Sequence, residues 1–395
     1  MTMWRRDRGR ILAEALALMA VGAAAISGCG AGPTIPTRQS GTIRSSLATS
    51  IETSAGSWAT IPMGHLDQPL NTFWQLFFRA SHAKSWSNEA SALAVATNGG
   101  LVVATDQKTL TVGIRPTDNL GYSPLISTFD ARVWTPANPI AGLRDAPNSL
   151  VVNASGGALA LVGKGGSTRV LTSHKGLAGW GELVSQGSLA KTQPGKTCGI
   201  GALTAVGYLG SQALVGADCR RGGTIGVFTR ETGAWALVGP QLPAPLKDAS
   251  AGVLGLQASS GGVCALLGIT GRHRIGLVAA CTTGRGSWRV SDELVLRGAD
   301  DTVSLGSSTG SGLFALIAGS GQPLVLDVLS ASDMGWSRLA SPPPGTVTVA
   351  FSRGGDVDAL VVNDTLFSDW RLGRAGKRWR RIQRLDVPIQ FASSS

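Results

Sequence analysis

Short apolar runs separated by glycine- and serine-rich breaks dominate the chain from residue 57 onward. The clearest stretch lies between Gly252 and Leu294, where runs at 253–258, 263–269, 275–281 and 287–290 are divided by breaks such as Ser259-Ser260-Gly261-Gly262. Four short β-rich runs with turn residues between them predict a four-stranded antiparallel sheet. Residues 313–336 repeat that order, and so do residues 91–134, with 101–104 and 110–113 as the expected middle strands. The runs are continuous instead of alternating, which suits strands buried on both faces.

A tryptophan closes each unit just after a tight turn. Trp86, Trp134, Trp180, Trp235, Trp288, Trp336 and Trp379 are separated by 48, 46, 55, 53, 48 and 43 residues. A period in this range is that of a β-propeller, whose blades are four-stranded sheets. The expected architecture is all-β, a seven-bladed propeller, with six blades and an N-terminal extension as the alternative. Six units end at Trp134 through Trp379. Residues 57–61, 72–78 and 85–87 offer three further strands, and residues 387–391 are expected to supply the fourth, closing the ring without open edges. Each tryptophan is expected at the start of an outer strand, filling the gap between blades while its N–H finds a local carbonyl.

The residues after these tryptophans are Ser87, Thr135, Gly181, Ala236, Arg289, Ser337 and Arg380, so no WD dipeptide occurs. Kelch blades need tyrosines, and the chain has only Tyr122 and Tyr208. Thr128-Phe129-Asp130-Ala131-Arg132-Val133-Trp134 and Thr229-Arg230-Glu231-Thr232-Gly233-Ala234-Trp235 resemble the Asp-box turn of sialidase-like propellers, one residue short. Thr282 to Trp288 keeps the Thr, Gly and Trp without the acid, and Asp333 precedes Trp336 at a shifted position. The resemblance implies a propeller and, as one function, glycan hydrolysis or lysis. Sialidase machinery needs an arginine cluster, a tyrosine backed by a glutamate, and an acid/base aspartate. No residues here match that set, so no catalytic residue is carried over.

The N-terminus has Arg5, Arg6, Arg8 and Arg10, then an apolar stretch over residues 11–26, then Ile26-Ser27-Gly28-Cys29. That layout is expected of a secretory signal peptide. Its ending resembles a bacterial lipobox, which implies acylation of Cys29 as the mature N-terminus and a protein held on the extracytoplasmic face of a cell membrane. A plain transmembrane anchor is the alternative, although the stretch carries Glu14 and is short of the roughly 20 residues a span needs. The expected organisation is a lipoprotein signal peptide over residues 1–28, a flexible Gly/Ser/Thr/Pro tether over 29–56 and the propeller over 57–395.

Five cysteines leave one over when paired, and the odd one is Cys29. Cys264 and Cys281 flank two strands joined by a turn at 270–274 and should face each other as a disulfide. Cys198 and Cys219 bracket a similar hairpin one blade earlier. No C-x-x-C or Cys/His cluster suggests a metal, and no cofactor is expected.

Net charge is +11, with 54 glycines and 15% charged residues. Combined with export, the charge points to an anionic envelope polymer, lipid headgroups or a membrane protein as partner, not nucleic acid, and to a monomeric domain. Arg371, Arg374, Lys377, Arg378, Arg380, Arg381 and Arg384 form the densest basic cluster, read as a solvated turn and strand face. Asp300-Asp301 and Asp356/Asp358 are the acid pairs available for glycoside hydrolysis, and each adjoins a Gly-rich turn where Asp commonly caps backbone. His65, His82, His174 and His273 are scattered and fit no metal or catalytic spacing. The functional expectation is an anchored binding or scaffold module of the cell envelope, with the sialidase-like hydrolase or lyase as alternative.

Overall fold

A computed structural model describes residues 37–388 except 41–42, 67–71, 90–99, 117–119, 175–176, 260–261, 273, 284–286, 299–300, 309–311, 320, 331, 353–354 and 375. Within it, seven antiparallel blades follow one another along the chain, four of them separate four-stranded sheets, blades 4 and 5 joined by strand pairing into one nine-stranded sheet, and blade 6 extended by an N-terminal hairpin into a six-stranded one. Blade 1 comprises Thr49–Glu52, Gly56–Gly64, Thr72–Ala80 and Ser87–Asn88, and blade 2 comprises Leu101–Thr105, Leu110–Ile114, Tyr122–Thr128 and Trp134–Ala141. Blades 3 to 6 begin at Ser149, Ile200, Ser250 and Thr302, and blade 7 runs from Thr346 to Asp386. The first strand of every blade touches the first strands of its neighbours, so these seven strands surround the axis.

Blade faces are apolar because each is covered by the next blade. Second strands such as Leu110–Ile114 and Ala158–Val162 are buried at every position. Separate core clusters fill the gaps between successive blades: Trp58, Leu76 and Phe78 meet Leu110 and Val112 between blades 1 and 2, and Phe314 and Leu326 meet Val349 and Ala359 between blades 6 and 7. Phe77 of blade 1 stacks on Phe367 of blade 7 with ring centroids 4.2 Å apart, inside a cluster that also holds Ile61, Trp86 and Leu360. That contact closes the ring at seven blades.

Closure differs from the expected arrangement. Blade 1 is built wholly from N-terminal sequence, with Thr49–Glu52 as its first strand. Val387 belongs to no strand; its side chain is buried in the blade 7–blade 1 core and its N–H donates to the Thr365 carbonyl. Residues 389–391 of the expected closing strand lie outside the described residues. In blade 2 the runs at 101–104 and 110–113 are the first and second strands, not the middle pair.

The expected tether also proves partly structured. Thr37–Ser40 and Ile43–Ser46 form a hairpin whose second strand runs parallel to Thr302–Ser308, the first strand of blade 6, pairing Arg44 with Thr302 and Ser45 with Val303. Ile43 is buried against Leu277 and Val303, and a Cβ on Gly268 would come within 2.7 Å of its Cδ1. Hydroxyls account for the polar composition of this segment: Ser50 Oγ donates to the Val349 carbonyl, and Ser304 Oγ donates to that of Ala48. Near the crowded axis, small side chains that bond backbone replace apolar bulk, so no hydrophobic period marks these strands. Residues 1–36 and 41–42, including Cys29, lie outside the described residues. Among described residues no helix is long and apolar enough to cross a membrane.

Candidate functional site

The described acids of the two pairs that could have served hydrolysis are committed to structure. Asp301 is buried and accepts the backbone N–H groups of Arg297 and Gly298 at 2.9 and 3.3 Å; Asp300 lies outside the described residues. Asp356 accepts the Arg374 N–H at 3.1 Å across a turn. Asp358 is fully buried between blades 7 and 1, where it takes hydrogen bonds from Arg79 and, at 2.7 Å, from Arg371 Nε. Asp130 and Asp333 hold their own turns through the N–H groups of Arg132 and Gly335, and the Gly335 bond, followed by the Ser330 hydroxyl, keeps the Asp333 carboxyl below its ordinary range. Tyr208 is pushed up to about 12 by burial, the reverse of an activated nucleophile.

Beside Asp358 lies a second buried carboxylate that the sequence reading did not single out. Asp369 accepts no hydrogen bond among the described residues, and Arg371 Nη2 is 3.9 Å away. Burial, then the neighbouring Asp358 charge, push its pKa up to about 7, partly offset by Arg79, Arg371 and the Trp86 indole N–H, which falls short of full hydrogen-bond geometry. The Arg79 guanidinium also lies 5.0 Å over the Trp86 ring. Gln383 ties the same seam, accepting the Trp86 N–H at 2.7 Å and donating to its carbonyl at 2.8 Å. Both carboxylates of this ionic cluster are fully buried, while the Arg371 side chain keeps 23% exposure.

His65, His82 and His174 are exposed outside the strands, and His273 lies outside the described residues. Among described residues no three His, Cys, Asp or Glu side chains cluster as metal ligands. Both disulfides form. Cys264 and Cys281 are directly opposed in the second and third strands of blade 5. Cys198 bonds Cys219 and the pair brackets the hairpin Ile200–Leu209 and Gln212–Cys219 as expected, with Cys198 ending a short helix, Gln193–Cys198, just before it. Thr192 caps that helix by accepting the Gly195 N–H, a local signal too short to show periodicity. In the basic cluster, Arg371 serves the buried seam, while Arg374, Lys377, Arg378, Arg380, Arg381 and Arg384 are exposed in the last turn and the edge strand Arg380–Asp386.

The seven tryptophans stand at or beside the start of each outer strand and pack onto the preceding blade. Trp379 Nε1 donates to the Ala340 carbonyl of blade 6 at 3.2 Å, and Trp336 Nε1 to that of Asp292 in blade 5 at 3.1 Å. Trp134 meets Trp58 of blade 1 edge-on at 6.1 Å. Trp235 and Trp288 join the clusters shared with blades 3 and 4, and Trp86 is buried against blade 7.

Trp180 has an additional setting. A cavity of about 460 Å³ opens between blades 2 and 3, with Asn138, Pro139, Arg169, Leu171, Trp180 and Glu182 among its lining residues. Pairing in the outer strand of blade 2 shifts register between Ala137 and Ile140, so Asn138 and Pro139 bulge out as one wall. Trp180 Nε1 donates to the Asn138 carbonyl at 3.1 Å, fixing the indole against that wall. Opposite, Arg169 Nη1 and Glu182 Oε2 are 3.9 Å apart. The volume falls within the range of small-molecule sites.

No protein-family model matches the chain, and no curated protein matches it. Its similarities are to solved structures. A periplasmic gluconolactonase of Pseudomonas aeruginosa is 16% identical, with 83% of this chain and 95% of that one covered at a TM-score of 0.51. A protein of Lactobacillus plantarum is 12% identical over 84% and 96% of the two chains, with a TM-score of 0.50. A six-bladed fucose-recognising lectin of the fungus Aleuria aurantia is 15% identical over 76% and 95%, with a TM-score of 0.45. At such identities the likeness is one of fold alone.

Proposed function

We propose that the protein is a lipid-anchored β-propeller on the extracytoplasmic face of a membrane, where it serves as a binding or scaffold module of the cell envelope. The observation that carries this reading is the contrast between its acids and its cavity. Asp301, Asp356 and Asp358 are spent on turns and an ion-pair cluster with buried carboxylates, whereas the open cavity between blades 2 and 3 offers an indole, a guanidinium and one carboxylate. Hydrolysis of a glycoside requires two carboxyl groups facing one bond, and Glu182 is the single acid among the residues lining this cavity. Two disulfides favour an oxidising compartment, and the Ile26-Ser27-Gly28-Cys29 sequence supplies the anchor.

The test is capture from detergent-solubilised envelope with the full acylated chain as bait. A reproducible protein or polymer partner is expected; turnover of a glycan panel with no captured partner would defeat the binding reading in favour of the sialidase-like alternative. The anchor is tested separately, since Cys29→Ala should abolish incorporation of radiolabelled palmitate and leave the protein unprocessed or released. Palmitate labelling that survives the substitution refutes acylation at Cys29.

A further inference from the structure

A repeat protein shows special sites where one repeat departs from the others. Two residues beyond the tryptophan, the blades carry Asn88, Pro136, Glu182, Leu237, Val290, Arg338 and Arg381. Blade 3 alone places an acid there. Glu182 pairs across the sheet with Leu171, and a register shift between Val170 and Leu171 accompanies the placement of Arg169 at the same cavity. Arg169 and Glu182 are 50% and 47% exposed, so both retain hydrogen-bonding capacity toward a ligand. Gly179 and Gly181 flank Trp180, and a Cβ on either would meet nothing within 4 Å, so the approach to the indole is open.

The chemistry of this lining selects among ligands. With its N–H committed to Asn138, the indole offers only its apolar surface. A guanidinium and a carboxylate side by side sum to zero charge, which favours neither an anion nor a cation. Together they place a donor and an acceptor 3.9 Å apart, as vicinal hydroxyl groups require. A ligand with one apolar C–H face and a rim of hydroxyls satisfies all three groups, and a sugar ring has that form.

We propose that the cavity between blades 2 and 3 is a saccharide subsite that takes a neutral sugar residue, its C–H face on Trp180 and its hydroxyls on Glu182 and Arg169. This rests on the binding-module reading and specifies its ligand class. The bulge at Asn138-Pro139 acts as a positioning device, holding the indole through the Asn138 carbonyl.

The test uses the full mature chain in detergent and a panel of neutral oligosaccharides built from hexose, deoxyhexose and N-acetylhexosamine units, read by calorimetry and saturation-transfer NMR. At least one member should bind, and Glu182→Gln should weaken it about tenfold or more, the loss of one charge-assisted hydrogen bond. Arg169→Gln should act similarly. Trp180→Ala should abolish binding, but it also removes a blade contact; the two exposed polar variants, whose thermal unfolding should match the parent, therefore decide the matter. Binding of no panel member, or unchanged affinity in both polar variants, overturns the subsite. Should an envelope partner still be captured in that event, the saccharide assignment falls while the binding module stands.

Discussion

Replacing Asp369 with Asn should stabilise the protein, and by an amount that grows with pH. The carboxyl is fully buried, accepts no hydrogen bond among the described residues, and sits beside the Asp358 carboxylate. Its pKa in the fold is about 7 against an ordinary 3.8. A raised acid pKa means that the folded chain holds a proton which the unfolded chain has released between these values. Stability from this group is therefore greatest below about pH 4, falls as pH rises toward 7, and stays low above it. At 1.36 kcal/mol per pH unit the full cost is about 4 kcal/mol, of which about 2.5 kcal/mol accrues between pH 5 and pH 8. Asn keeps the shape and removes the charge. Urea unfolding of parent and Asp369→Asn at pH 5, 6, 7 and 8 should give a stability difference in favour of the variant that widens by roughly 2 to 3 kcal/mol across the range. A difference independent of pH, or a variant less stable than the parent at pH 8, refutes the account of this seam.

Two further predictions concern the ring. Removing Cys264–Cys281 by double substitution to Ala releases a cross-link of sequence separation 17 and should cost about 3 kcal/mol in urea unfolding; an equal midpoint for parent and variant would mean that the bridge constrains nothing in the unfolded chain. Ile43→Ala should cost about 2 to 4 kcal/mol because the side chain is 2% exposed between blades 5 and 6, whereas a residue in a flexible tether would change stability by less than about 0.5 kcal/mol.

Seven blades were legible because each ends in the same bulky residue after the same kind of turn, and because strands buried on both faces read as unbroken apolar runs. Cys264 and Cys281 were legible for a related reason: equal strand lengths on either side of one turn fix the register. The first strand of blade 1 was not. Thr49–Glu52 has Ile51 as its lone large apolar residue, and its Ser50 contributes by bonding Val349 in blade 7, a partner 299 residues away. Composition reads such a segment as linker because a short polar strand is held by what it meets, not by its own pattern. Val387 misled in the opposite sense, since it is apolar to fill a core and not to join a ladder.

The candidate site shows the same division between what repeats and what departs. Six of the tryptophans meet the preceding blade through core packing, a ring contact or an indole bond, and their flanks carry no shared polar set. Trp180 makes the same kind of bond, yet the carbonyl it binds belongs to a bulge, and the strand it opens carries Glu182 facing Arg169. In sequence this appears as one glutamate in the second place after one tryptophan, a signal with no meaning until the bulge and the guanidinium are set around it. A ladder of structural tryptophans can therefore contain one whose ring is placed for a ligand. That placement depends on Asn138, Arg169 and Glu182, three residues from two blades that the linear chain keeps up to 44 positions apart.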